Sequence, residues 1–182
     1  MYVDGAQSWR QGSVANDVPF SVLDGFCRAV LLTPECDLQQ QKAATAAFIA
    51  LFEAPNVVLG LVADEWTTIG AVSGAPTSRG RRREIDDRIR RLQRHQFPRY
   101  HWLDAPPGTD SPLVADFQFL TCVPLEFLDE LTPLAALDDP FRAELAARYA
   151  SYMGRIGTPD GNEAASETWR SQFLDAHFPL AR

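Results

Sequence analysis

The chain reads as an α+β protein, short antiparallel strands accompanied by separate helices, and three patterns say so. The run Ala29-Val30-Leu31-Leu32, bounded by Gly25 and Pro34, has the length and branching of a strand buried on both faces. Val114 to Val123 alternates with period two, as a half-buried strand does. Ile85, Ile89 and Leu92, and then Phe141, Leu145, Tyr149, Tyr152 and Ile156, recur at helical spacing on two further segments.

Taken in order, the first ten residues read as a loose lead-in and Gln11 to Phe20 as a first strand. Asp24-Gly25 is a hairpin signal that turns the chain into the Ala29–Leu32 strand as an antiparallel neighbour. Arg28 stands at the mouth of that strand, where a half-buried guanidinium requires carboxylate, phosphate or carbonyl partners. Ala46 to Glu53 reads as a third strand and Pro55 to Ser73 as partly helical. Ser78 caps a basic helix over about 80–97, which Pro98 ends, and Tyr100 to Leu103 is a short aromatic strand. In the Val114–Val123 strand, Phe117, Phe119 and Thr121 fall on the inner row and Asp116, Gln118 and Cys122 on the outer one. Pro124 to Leu137 reads as a helical turn and connection, and Asp139-Pro140 as an acidic cap with proline at the first helical position. The expected organisation is one domain over 1–157 and a helical arm over 158–182, in which Trp169 and Phe173 need a partner surface.

Composition narrows the function classes. With 46% apolar and 23% charged residues the chain has enough hydrophobic mass for one core, which excludes a disordered chain. The start lacks a basic region followed by an apolar one, and no apolar stretch has bilayer length, so a cytoplasmic protein without a membrane partner is expected. Cys27, Cys36 and Cys122 form no CxxC pair and are expected as buried thiols. His95, His101 and His177 have no HxH or HxxxH spacing, so no metal is expected. Cys36-Asp37 is a weak nucleophile candidate, because Glu35 and Asp37 would push the thiol pKa up.

Charge is unevenly placed. The net charge is -7, yet Arg79 to Arg99 holds nine arginines against Glu84, Asp86 and Asp87, while the remainder holds eight basic and 21 acidic residues. An acidic molecule with one basic segment can still dock phosphates there, through Arg81, Arg82, Arg83, Arg88, Arg91 and Arg94. A solvated helix held by Asp86 and Asp87 at helical spacing to Arg90 and Arg91 accounts for the same residues.

Two stretches, Gly12 to Leu32 and Gln118 to Leu128, carry a resemblance. In the first a strand begins at a glycine, and after a loop Arg28 leads directly into Ala29-Val30-Leu31-Leu32. The second runs Gln118-Phe119-Leu120-Thr121-Cys122-Val123-Pro124. In that order they resemble the MazF/PemK toxin family, with its Arg-Pro-Ala strand entry and its Gln-x-basic-Thr/Ser strand. With the closing helix through Met153 the similar parts cover about two thirds of the chain.

The resemblance implies a small SH3-like antiparallel barrel with an inserted basic helix. It also implies a homodimer, single-stranded RNA as substrate, and metal-independent endoribonuclease activity without a cofactor in a bacterial toxin-antitoxin or defence setting. By the same resemblance Arg28 would stabilise charge on the scissile phosphate, Thr121 would donate to a phosphate oxygen, and Asp24 would be the acidic partner ahead of the arginine. Leu120 stands where the family carries a basic residue. The alternative is a catalytically degenerate barrel that binds a nucleic-acid or cognate protein partner through the basic helix or the C-terminal arm.

Overall fold

The computed structural model describes residues 1–3, 8–40, 42–63 and 79–154, without the side chains of Ala63 and Arg81. The proposed arm over 158–182 and the stretch 64–78 lie outside the described residues, as does Ile156.

Among the described residues seven strands form one antiparallel sheet. They are β1 (Tyr2–Val3), β2 (Ser13–Phe20), β3 (Gly25–Leu31), β4 (Thr45–Glu53), β5 (Tyr100–Leu103), β6 (Leu113–Pro124) and β7 (Pro133–Leu137), in the spatial order β1-β7-β2-β3-β4-β6-β5. The sheet curls into a half-barrel. Its two edge strands approach each other where the Tyr2 hydroxyl donates to the Asp104 carbonyl at 2.7 Å and the Asp104 N–H meets Met1 Sδ at 3.2 Å. The helices are α1 (Glu35–Gln39), α2 (Ala54–Ala63), α3 (Arg79–Gln93) and α4 (Asp139–Met153).

The hairpin between β2 and β3 turns as its sequence implies, through Ser21–Leu23 and Asp24, whose φ of 49 is left-handed. At Gly12, φ is +85 and a Cβ would stand 3.0 Å from that of Leu137 and 3.1 Å from that of Arg142, so a side chain is excluded on two grounds. The reason is a crossing of strands: the Gly12 N–H donates to Leu31 and its carbonyl accepts from Leu137.

Alternate residues bury on opposite faces. One face packs Val14, Val30, Ile49, Leu51, Leu103 and Phe117 beneath Leu145 of α4, with Phe141, Tyr149 and Tyr152 around it, so the helical spacing read from the sequence is the buried face of α4. The other face packs Ala15, Phe20, Leu31, Phe48 and Val123 against Leu128 and Trp9. A third cluster seats α2 and α3 on the sheet through Ala54, Leu92 and Val114.

Four expectations need correction. The lead-in contains β1, and the segment expected as a connection contains β7, whose Pro133-Leu134-Ala135-Ala136-Leu137 is too small and too short to show an alternation. The thiols of Cys36 and Cys122 are exposed, not buried. Lastly, β6 does not keep one inner row. Thr45–Ile49 pair with Pro124–Leu120, and Leu51–Glu53 with Ala115–Leu113, so four residues of β6 stand opposite Ala50 alone. The three extra residues are an odd number, which reverses the face. Phe117 therefore packs under α4 while Phe119 joins the opposite cluster.

Candidate functional site

Arg28 and Thr121 are the pair the resemblance brings together, and the strand register does not. Arg28 belongs to the row of Val30, which pairs with Ile49. Thr121 pairs with Phe48, which pairs with Leu31, so its row is the other face of the sheet. The Arg28 guanidinium is instead held locally: a bulge in β2 sets Asn16 and Asp17 across from it, and its Nε donates to Asn16 Oδ1 at 2.9 Å. Asp24 lies at the other end of β3 from the Arg28 side chain's partners, just before the strand begins at Gly25, and serves as the left-handed turn residue of the hairpin.

The basic helix is present and one-sided, but it ends at Gln93, where the left-handed His95 (φ 55) turns the chain, rather than running to 97 and stopping at Pro98. Leu92 is fully buried and Ile85 and Ile89 half-buried, whereas Arg79, Arg82, Arg83, Arg90, Arg91 and Arg94 are exposed. Arg79, Arg83, Arg90 and Arg94 step by four, seven and four, so they form one row along α3 and its exit, about 22 Å long at 1.5 Å per residue. Asp86 pairs with Arg90 at 2.8 Å, as its helical spacing implies, and Arg88 is half-buried. The Arg91 guanidinium lies over the Phe97 ring, 4.8 Å from its centre.

Beside this helix stands an ion pair that the sequence reading did not single out. Asp116 is only 3% exposed, and its carboxylate accepts from Arg99 Nε at 2.7 Å, Arg99 Nη2 at 2.6 Å and the Gln118 N–H at 3.1 Å. Asp116 opposes Tyr100 in the β5–β6 ladder, which brings the neighbouring Arg99 onto it. The hydrogen bonds to Asp116 raise the Arg99 pKa above its ordinary value. A signal existed: a lone carboxylate within Leu113-Val114-Ala115-Asp116-Phe117 must find a partner if the run is buried. Covering of the Val114 side by α2 and α3 is what buries it.

His95, His101 and Glu144 also come together, with candidate ligand atoms within 4.8 Å of one another. His95 Nδ1 lies 2.7 Å from Glu144 Oε1, its Nε2 lies 3.2 Å from the Trp102 carbonyl oxygen, and its ring stacks on His101 at 4.2 Å and 22°. Imidazole lone pairs lie in the ring plane, and the planes of two rings stacked at this distance and tilt do not cross within bonding reach of either ring, so the pair does not converge on one ion. The group acts as a packed connection from β5 to α4. Burial drives the pKa of His101 down to about 3, and its Nδ1 has no hydrogen-bond partner among the described residues.

Neither a family model nor a curated protein matches this chain.

Proposed function

We propose that this protein is an RNA-docking module, an SH3-like barrel of MazF/PemK ancestry that holds single-stranded RNA along α3 without using Arg28 and Thr121 as a cleavage pair. The observation that supports docking is the exposed row Arg79, Arg83, Arg90 and Arg94 on an otherwise acidic chain. The acidic excess of the rest of the chain repels a polyanion while the exposed arginines of α3 attract it, so the field favours approach to that helix. What supports binding over cutting is the register, since two groups on opposite faces of a sheet do not meet on one phosphate.

The test is fluorescence anisotropy with a labelled single-stranded RNA dodecamer over a salt series. Each arginine on a phosphate contributes about 0.7 to the slope of log affinity against log salt. Changing Arg83, Arg90 and Arg94 together to alanine is expected to lower that slope by about 2, with helix content unchanged by circular dichroism. The RNA is expected to stay intact on a gel. Salt-independent binding, or a variant that matches the parent, overturns docking through α3. Cutting that disappears in Arg28→Ala restores the nuclease reading.

A further inference from the structure

We infer that the cavity between α2, the start of β5 and the middle of β6 is a nucleobase pocket. It receives one unstacked base of the strand whose phosphates lie on α3. This rests on the docking reading and adds to it what the strand presents besides charge.

The cavity measures about 380 Å³ and its lining includes Phe52, Asn56, Arg99, Tyr100, Phe119 and one carboxylate, Asp116, whose charge Arg99 balances. Phe52 and Phe119 meet edge to face at 5.6 Å, and the Arg99 guanidinium lies 5.0 Å from the Tyr100 ring centre and 6.0 Å from that of Phe119. Flat rings and a guanidinium plane are the surfaces on which single-stranded RNA bases stack. Asp116 takes Nε and Nη2 of Arg99, fixing the plane of the fork and leaving Nη1 outside that pair, on a side chain 38% exposed. Asn56 offers both a donor and an acceptor for a base edge.

Phe97, which follows α3, carries on its face Arg91, which stands beside the row on the same helix, and touches Tyr100 with ring centres 6.4 Å apart, so α3 and the pocket are joined by one chain of contacts. A larger cavity, about 540 Å³ beside Trp9, has Glu126 and Asp129 in its lining and repels the phosphate that any nucleotide brings.

The experiment compares a labelled oligouridylate with an abasic ribose-phosphate polymer of equal length. Oligouridylate is expected to bind at least tenfold tighter, and Phe119→Ala to abolish that preference while keeping the affinity for the abasic polymer and the salt slope. Because Phe119 is half-buried, Asn56→Ala on the exposed surface of α2 is measured in parallel, with a loss of at least threefold in the preference expected. On the unchanged protein, saturation-transfer NMR with uridine 5′-monophosphate is expected to mark the base protons H5 and H6 more strongly than the ribose protons. Equal binding of both polymers, or stronger marking of the ribose, overturns the pocket and leaves docking on α3 standing. Failure of both polymers to bind overturns the docking reading and the pocket with it.

Discussion

Arg99 and Asp116 show how unequal the two halves of an ion pair are. Asp116 has almost no access to water, whereas the Arg99 side chain is 38% exposed and can hydrate its charge if the partner is lost. Arg99→Ala strands a buried carboxylate and is expected to cost about 3 to 5 kcal/mol. Asp116→Ala leaves a cation that solvent can reach and is expected to cost about 2 kcal/mol. Urea unfolding of both variants checks the order, and a larger loss for Asp116→Ala would show that the carboxylate is stabilised by something besides the arginine. At this scale the sequence could show that Asp116 was a lone acid in an apolar run. It could not show the partner, because Arg99 reaches it through the β5–β6 pairing.

Among the elements, α4 was the most legible, since an acid followed by proline and a spacing of four and three residues mark its start to within one residue and its buried face; the helix begins at Asp139 itself, and Asp138 rather than Asp139 stands ahead of it, its carbonyl accepting from the Phe141 and Arg142 N–H groups. Its only fully buried side chain among the described residues is Leu145, which plugs the face of the sheet formed by Val30, Ile49 and Phe117. Leu145→Ala is expected to cost about 3 kcal/mol, as large-to-small changes in packed cores do. The midpoint of denaturant unfolding reads this, and a loss below about 1 kcal/mol would mean that Phe141 and Tyr149 close over the gap. By contrast, β7 was illegible because two alanines and a proline carry no period. Its strand character comes from lying between β1 and β2. The β6 alternation was legible but misleading, because period two holds locally on either side of an insertion that exchanges the faces.

Across the whole molecule, stability should fall in acid for a reason that can be assigned. His101 is 1% exposed and is held neutral to about pH 3, against an ordinary value of 6.5. Below pH 6.5 the unfolded chain takes up a proton that the folded one refuses, so this contribution is complete above 6.5 and declines as the pH falls towards 3. Over that window it amounts to about 4 to 5 kcal/mol at 1.36 kcal/mol per pH unit. His101→Phe keeps a flat ring against Phe117 and removes the titration, so its unfolding free energy is expected to depend less on pH between about 6.5 and 4 than that of the parent. Parallel pH profiles for the two proteins would refute the assignment.

The sequence by itself determined the α+β class, the β2–β3 hairpin, the buried β3 and β4 strands, the basic α3 and the start of α4. Each depends on turn residues, caps and local periodicity, which act over a few neighbouring positions. Tertiary structure decided which side chains share a place: that Arg28 and Thr121 take opposite faces, that Arg99 closes on Asp116, and that aromatic rings from β4, β5 and β6 line one cavity. Those outcomes depend on strand register and on the odd insertion in β6, and register is an energy of distant pairings that no local pattern contains.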